Sequence, residues 1–317
     1  MKNKFAIMGI ALIIIISLGI GYVAFQQFPL KSPENKYANP NALINPDWLE
    51  DNLNDPNIRI IDFSYDYYDG HIKNSVFVDW IDDTTDPEDV ERYTIAKKEA
   101  IENLLSRIGV TEDTTIILVD DLQNRLSMRM FWVLKYYGHE DIRILDGGRV
   151  AWEDSGMSYT DEIPEIIETN YEVAKVNEQH RIKFDFIKNN FDNPDIVLID
   201  NRGSAQYSGE KAGAVYNTGE KHKRKGHIPG AINVPWNDNL NKDNIFKSYQ
   251  ELLKEYEDKG ITKDKFVITY CNEGLHAAAS WFVLSELLGY PKVAVYDESM
   301  AEWANRDDVP MTMGPNP

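Results

Sequence analysis

The sequence predicts an α/β protein built as two tandem copies of one domain, each a mainly parallel sheet flanked by helices, after an N-terminal transmembrane helix. Three observations carry that expectation. Sliding residues 109–152 onto 260–303, a constant offset of 151, needs no gap and places Gly109 on Gly260, Phe131 on Phe282, Gly138 on Gly289, Asp146 on Asp297 and Trp152 on Trp303. In both copies short, continuously apolar runs alternate with helical patterns, as in strands covered on both faces. The third observation is an uncharged apolar stretch at the start of the chain.

The elements follow in chain order. Phe5–Phe25 (FAIMGIALIIIISLGIGYVAF) comes after Lys2 and Lys4. At 1.5 Å rise per residue it spans about 31 Å, the thickness of a hydrocarbon core. A secretory apolar region is shorter, about 7–15 residues, and no clean small-x-small cleavage site follows. Residues 1–28 are therefore read as an uncleaved anchor in preference to a removed signal peptide. Lys2, Lys4 and the terminal amine, against Lys31 and Lys36, give a slight bias that puts the globular part outside the cytoplasm. Residues 29–45, with Pro29, Pro33 and Pro40 among asparagines, read as a tether. The first copy is 46–158, with strands at Ile58–Phe63, Ile116–Asp120 and Ile142–Leu145 and helices at Ile95–Ile108 and Leu126–Tyr137. An acidic linker, 159–178, contains Pro164. The second copy is 179–317, with strands at Ile196–Asp200, Phe266–Tyr270 and Val293–Tyr296 and a helix at Ala277–Leu288. Gly138 and Gly289 close the paired helices as C-caps. GHIKNSVFVDW (Gly70–Trp80) matches GHIPGAINVPW (Gly226–Trp236), and IIDFS at Ile60 matches LIDNR at Leu198. A period of about 150 residues is too long for a solenoid and means two copies of one domain.

Composition narrows the function. With 43% hydrophobic and 27% charged residues, the 317-residue chain is neither disordered nor polytopic. Its 52 acids against 33 bases give a net charge of −19, which argues against nucleic acid or an anionic lipid surface as the main partner. One cysteine excludes an internal disulfide framework, a Cys-rich zinc site and a Cys-ligated iron–sulfur cluster. The six histidines show no HExxH or paired spacing, so no metal or cofactor is expected.

That single cysteine, Cys271, stands where a strand ends and a helix begins, with the loop Asn272, Glu273, Gly274, Leu275 and His276 leading to Ala277. Free backbone N–H groups and the positive end of a helix favour a thiolate there, and Gly274 permits a tight anion-cradling turn. The alternative is an inert buried thiol. Cysteine phosphatases need Cys-x5-Arg, and Ala277 fills that position, so phosphoryl transfer is not expected. His276 offers positive character at low pH.

The strand–Cys–loop–helix unit, the paired GHIPGAINVPW signature and the ending VAVYDESMAEW resemble the tandem-domain rhodaneses, the thiosulfate and 3-mercaptopyruvate sulfurtransferases, from about Pro46 to Met313. The resemblance implies two rhodanese-like domains, of which the second is catalytic. The offset agrees, because Asp120 stands in the place of Cys271 and a carboxylate cannot carry a persulfide. It also implies a Cys271 persulfide, loaded by thiosulfate or a related donor and discharged to a thiol or cyanide. The sequence departs from the family at Asn272 and Glu273, where basic residues are usual, at Gln206 in place of a substrate arginine, and at Asp297-Glu298-Ser299-Met300 in place of DGSW. Arg202 is the remaining candidate substrate-binding cation, and a structural ion pair is its competing role. KHKRK (Lys221–Lys225) is read as a loop solvated by its charges, with attraction of an anionic donor as the second reading. His71 and His227 recur in both copies, which favours a structural role. The competing function is a non-catalytic rhodanese-fold module that docks a partner or carries sulfur at the membrane.

Overall fold

The computed structural model describes residues 36–89, 93–215 and 219–317. The first domain runs β1 (Leu43–Ile44), α1 (Pro46–Asn52), β2 (Ile58–Asp62), β3 (Ser75–Phe77), α2 (Lys98–Arg107), β4 (Thr115–Val119), α3 (Arg125–Tyr136), β5 (Ile142–Leu145) and α4 (Gly148–Asp154). The second runs β6 (Arg181–Ile182), α5 (Phe184–Asn190), β7 (Ile196–Asp200), α6 (Ser204–Tyr207), β8 (Ile232–Asn233), α7 (Tyr249–Glu257), β9 (Phe266–Tyr270), α8 (Leu275–Phe282), β10 (Val293–Tyr296) and α9 (Ser299–Trp303). Each domain holds one five-stranded sheet, ordered β1-β5-β4-β2-β3 and β6-β10-β9-β7-β8. All strand pairs in both are parallel. The two orders are the same path through the same sheet, so the duplication read from the offset is a duplication of topology.

The central strands coincide with the apolar runs because both their faces are covered. Ile116, Ile117, Leu118 and Val119 are all fully buried, as are Val267, Ile268 and Tyr270. Helices α3 and α8 pack against each other and join the domains, with Phe131 and Phe282 edge to face at 4.8 Å. Two further contacts obey the same pseudo-twofold relation. Phe246 N–H donates to Asp146 at 3.2 Å, and Ile95 N–H donates to Asp297 at 3.1 Å. Both pairs are related by the offset of 151.

Three expectations change. The tether assigned to 29–45 is part of the fold from residue 36 onward: Leu43–Ile44 pairs with β5, and Ala38 N–H and Asn39 N–H donate to the carbonyls of Leu287 and Glu286, both at 2.8 Å. The helix expected to run from Ala277 to Leu288 ends at Phe282 and continues as one π-helical turn, Val283–Leu287, whose carbonyls those two N–H groups reach. The linker 159–178 is extended but docked. Thr160 bridges to His71, and Val173 N–H donates to Glu102 at 2.8 Å. The membrane span at 5–25 lies outside the described residues. Among the described residues, no helix is long and apolar enough to cross a membrane.

Candidate active site

Strand β9 delivers Cys271 to the carboxyl edge of the second sheet, where α/β folds place their ligands. Gly274 then turns the chain into α8 with φ +79°, and a Cβ there would sit 2.6 Å from Asp297 Oδ1. Glycine is required twice over, by backbone conformation and by close approach. Ser299 fixes the loop from the other side. Its hydroxyl accepts from Cys271 N–H at 3.1 Å and donates to Tyr296 O at 2.7 Å. Met300 N–H and Ala301 N–H donate to the carbonyls of Cys271 and Asn272 at 3.1 and 2.8 Å.

The thiol faces the backbone N–H groups of Ala277, Glu273 and His276, the cradle expected from the sequence. Its ionisation goes the other way. Burial, followed by the Glu273 carboxylate, pushes Cys271 up to about 11, and the three amides offset only part of this. Cys271 is 1% exposed and Glu273 4% exposed, so both effects act in a poorly screened setting. The amides act in the direction expected of them, towards the thiolate, but burial and Glu273 outweigh them and favour the neutral thiol.

His276 stacks on Trp236 at 5.2 Å, and burial with the nearby Arg125 charge drives it down to about 3. The positive character expected of it at low pH is thereby moved to strongly acid conditions. Arg202 is 2% exposed and grips Asp200, with Nε at 2.9 Å from Oδ1 and Nη2 at 2.5 Å from Oδ2, and also donates to Gly226 O at 2.8 Å. Its charge is balanced inside the protein, in line with the structural ion pair. Of the KHKRK cluster, Lys221, Lys223 and Lys225 are exposed, whereas His222 and Arg224 are built in. His222 contacts Asn272 Oδ1 at 3.2 Å, and burial lowers it to about 4. Arg224 donates to the carbonyls of Val309 and Trp303 at 2.6 and 2.7 Å. His71 and His227 stack on Tyr67 and Tyr207 at 4.0 and 3.7 Å, each with Nδ1 at the carbonyl of that tyrosine.

In the first domain the equivalent loop is already filled. Asp120 Oδ1 accepts from Leu122 N–H at 2.7 Å and Asn124 N–H at 2.9 Å, and Oδ2 accepts from Ser127 N–H at 2.8 Å. Gln123, at the position of Gly274, adopts φ +61°. The first-domain loop thus aims its amides at the Asp120 carboxyl group, without the glycine, and burial outweighs those amides and raises the pKa of that group.

Behind the Cys271 loop lies an ionic cluster that the sequence did not reveal. Asp297, fully buried, meets Arg129 of the first domain at 2.7 Å and Arg181 at 2.9 Å. Burial raises its pKa, but the two guanidinium groups prevail and hold it below the usual carboxylate value. In front of the loop is a cavity of about 480 Å3 bordered by Asn272, His276, Arg202 and Trp236 and, from the first domain, Gln123. Gln123 reaches across the seam to donate to Asn244 at 2.9 Å. Asn272, His276, Arg202 and, as the end of GHIPGAINVPW, Trp236 carry sequence signals, whereas Gln123 does not. Among the described residues no group of three His, Cys, Asp or Glu could hold a metal.

The description "rhodanese-like domain" matches residues 45–155 and 184–306. The chain is 38% identical over 284 residues to the sulfur carrier protein TtuD of Thermus thermophilus, covering 88% of this chain and 99% of that one. It is 34% identical over 290 residues to a thiosulfate sulfurtransferase of Corynebacterium glutamicum, covering 89% and 93%. Among solved structures, wild-type EanB superposes with a TM-score of 0.78 at 24% identity over 89% of this chain and 71% of that chain, a likeness of fold.

Proposed function

From the premise that the chain belongs to the rhodanese-like family, we propose that it transfers sulfane sulfur through a persulfide on Cys271, with the second domain catalytic and the first inactive. The observation that carries this reading is the only cysteine of the chain, set at a strand end with three loop amides facing its sulfur. In the first half-reaction the Cys271 thiolate attacks the outer sulfur of thiosulfate. The new Sγ–S bond forms as the donor S–S bond breaks, and sulfite leaves with the electron pair. The persulfide is a stored intermediate, and its terminal negative sulfur is matched to the loop amides, as an oxyanion is to its donors. In the second half-reaction a thiol or cyanide removes that sulfur and returns the thiolate. Mercaptopyruvate is the alternative donor. Arg202 acts here by holding Asp200 and the cavity floor in place.

The sealed thiol supports a second reading, a sulfur carrier loaded and unloaded by partners without small-molecule turnover, the role printed for the Thermus relative. Sulfite release from thiosulfate by the full-length chain, with cyanide as acceptor, separates the two. Turnover that Cys271→Ser abolishes, with a donor-dependent gain of about 32 Da that dithiothreitol removes, supports the enzyme. An adduct without turnover supports the carrier, and no adduct at all overturns both. The apolar run 5–25 supports membrane anchoring on sequence grounds; fractionation of the full chain against one starting at Lys36 tests it.

A further inference from the structure

The sulfur donors named above are anions, but the leading charge acting on Cys271 is the Glu273 carboxylate, which repels them. The built-in cations of the second domain beside the loop are committed elsewhere. Arg202 is closed on Asp200, Arg181 on Asp297 and Glu298, and Arg224 on the carbonyls of Val309 and Trp303. Burial keeps His222 and His276 uncharged near neutral pH. Lys242, on the rim of the cavity, is exposed, and a solvated charge is screened.

The first domain presents a cation at the same place. Arg125 is the counterpart of His276 under the offset of 151, as Asp120 is of Cys271. It opens α3 and is half-buried. Its guanidinium lies over the Trp236 indole, 5.5 Å from the ring centre, and the same indole stacks on His276 at 5.2 Å. Arg125 thus stands one ring away from a residue whose backbone N–H faces the Cys271 sulfur, and its charge is felt there, because after burial it is what lowers the His276 pKa. Its Nε donates to Leu122 O at 3.1 Å, a neutral partner, and among the described residues no carboxylate is ion-paired to it. The cavity of about 280 Å3 that it borders shares Gln123 and Asn244 with the larger one before the loop. Asp121 is the acid of that lining, and burial raises its pKa.

We propose that Arg125 is the specificity-determining cation of the Cys271 site: it attracts the anionic sulfur donor through space and offsets the repulsion from Glu273. The inference rests on the sulfur-transfer reading above. Arg125 makes and breaks no bond, and the electron pair of the donor S–S bond leaves with sulfite as before. A half-buried guanidinium is incompletely screened, and its attraction scales with the charge it meets, so thiosulfate, a dianion, gains twice the free energy of a monoanion. The copy without a thiol thereby supplies a charge that the copy with the thiol holds only in neutralised or solvated form.

Alkylation of Cys271 by iodoacetate and by iodoacetamide tests this field, because the two reagents differ by one negative charge and meet the same thiolate, whose pKa cancels from the ratio of their rates. The full-length chain is used, and intact mass reads its single cysteine. The iodoacetate-to-iodoacetamide ratio should fall about threefold in Arg125→Gln and about ninefold in Arg125→Glu, which reverses the charge, and stay within about 1.5-fold of wild type in Arg125→Lys. Lys73→Gln removes the same charge from an exposed position just before β3, at the opposite edge of the first sheet, and should leave the ratio unchanged. The kcat/KM for sulfite release from thiosulfate should fall about ninefold in Arg125→Gln, the square of the effect on the monoanion. An unchanged ratio in Arg125→Gln and Arg125→Glu, an equal fall in Lys73→Gln, or an Arg125→Lys ratio as low as that of Arg125→Gln overturns the assignment. So does a wild type that neither reagent alkylates and thiosulfate does not load. A wild type that thiosulfate does not load but whose ratio falls as stated in Arg125→Gln overturns the sulfur-transfer reading instead, and keeps Arg125 as the cation that draws anions to Cys271.

Discussion

Replacing Glu273 by glutamine should make Cys271 more acidic and the first half-reaction faster. A thiol with pKa about 11 is ionised in about one molecule in ten thousand at pH 7. Burial contributes most to that value and the Glu273 carboxylate comes second. Two unit charges about 6 Å apart at an effective dielectric of about 20 repel by about 3 kcal/mol, or about two pKa units. Glutamine keeps the shape and removes the charge, so the pKa should fall by about one to two units and the thiolate fraction rise about 10- to 100-fold. A less basic thiolate is a weaker nucleophile, with a Brønsted slope of about 0.5, which returns about 3- to 10-fold and leaves a net gain of about 3- to 10-fold in loading at pH 7. Because Glu273 is buried, added salt should change the donor KM little. The assay is iodoacetamide alkylation against pH, read by intact mass, which the single cysteine makes unambiguous. Glu273→Asp, which retains the carboxylate, should stay near the wild type. An alkylation profile of Glu273→Gln within about 0.3 units of wild type, or shifted upward, would refute the assignment of the charge effect to this side chain.

Other perturbations test the surroundings of the site. Asp120→Ala strips the partner from three loop amides and should cost about 2–4 kcal/mol in urea unfolding; a loss below about 1 kcal/mol means that water replaces the carboxylate. Arg129→Met leaves Asp297 buried with one guanidinium fewer and should destabilise by about 3–5 kcal/mol, with persulfide loading falling as well, because Gly274 rests against Asp297. Burial raises Asp146 to about 6 from 3.8, so the native state holds a proton that the unfolded chain releases. The contribution of this group to stability is present below about pH 4 and lost as pH rises through about 6, at most about 3 kcal/mol because the group is partly exposed. Asp146→Asn should therefore be more stable than wild type at pH 7 and equal to it near pH 4, measured by urea unfolding at both values.

The sheets were legible because their central strands are covered on both faces and so read as unbroken apolar runs. Ile142–Leu145, Ile196–Asp200, Phe266–Tyr270 and Val293–Tyr296 agree with the structure to the residue. The two-residue edge strands β1 and β6 carry no such pattern, and nothing local shows that residues 38 and 39 cap a π-turn some 247 positions away. Within the site, the strand–loop–helix setting identified Cys271 and its amides. The opposing pulls of the loop amides and of Glu273 were legible, but not which prevails, because that depends on how deeply Cys271 is enclosed, a tertiary property. The cavity escaped for the same reason: Gln123 and Asn244 meet across a separation of 121 residues.

The duplicated halves have diverged in a way that links the two sites. Asp146 and Asp297 hold equivalent places on the pseudo-twofold seam, each accepting one N–H from the opposite domain. Only Asp297 is also met by two arginines, and one of them, Arg129, comes from the first domain. That carboxylate is held in its charged form directly behind Gly274, whose turn aims the amides at Cys271. In the first domain the same cradle is closed by the side chain of its own Asp120, which is covalently fixed there. Filling one loop permanently makes it a fixed wall, from which Gln123 borders the cavity and α3 carries Arg129 to the partner loop. The first domain thus shapes the Cys271 site through position and charge, and this explains why a copy without a thiol remains packed so closely against the copy that has one.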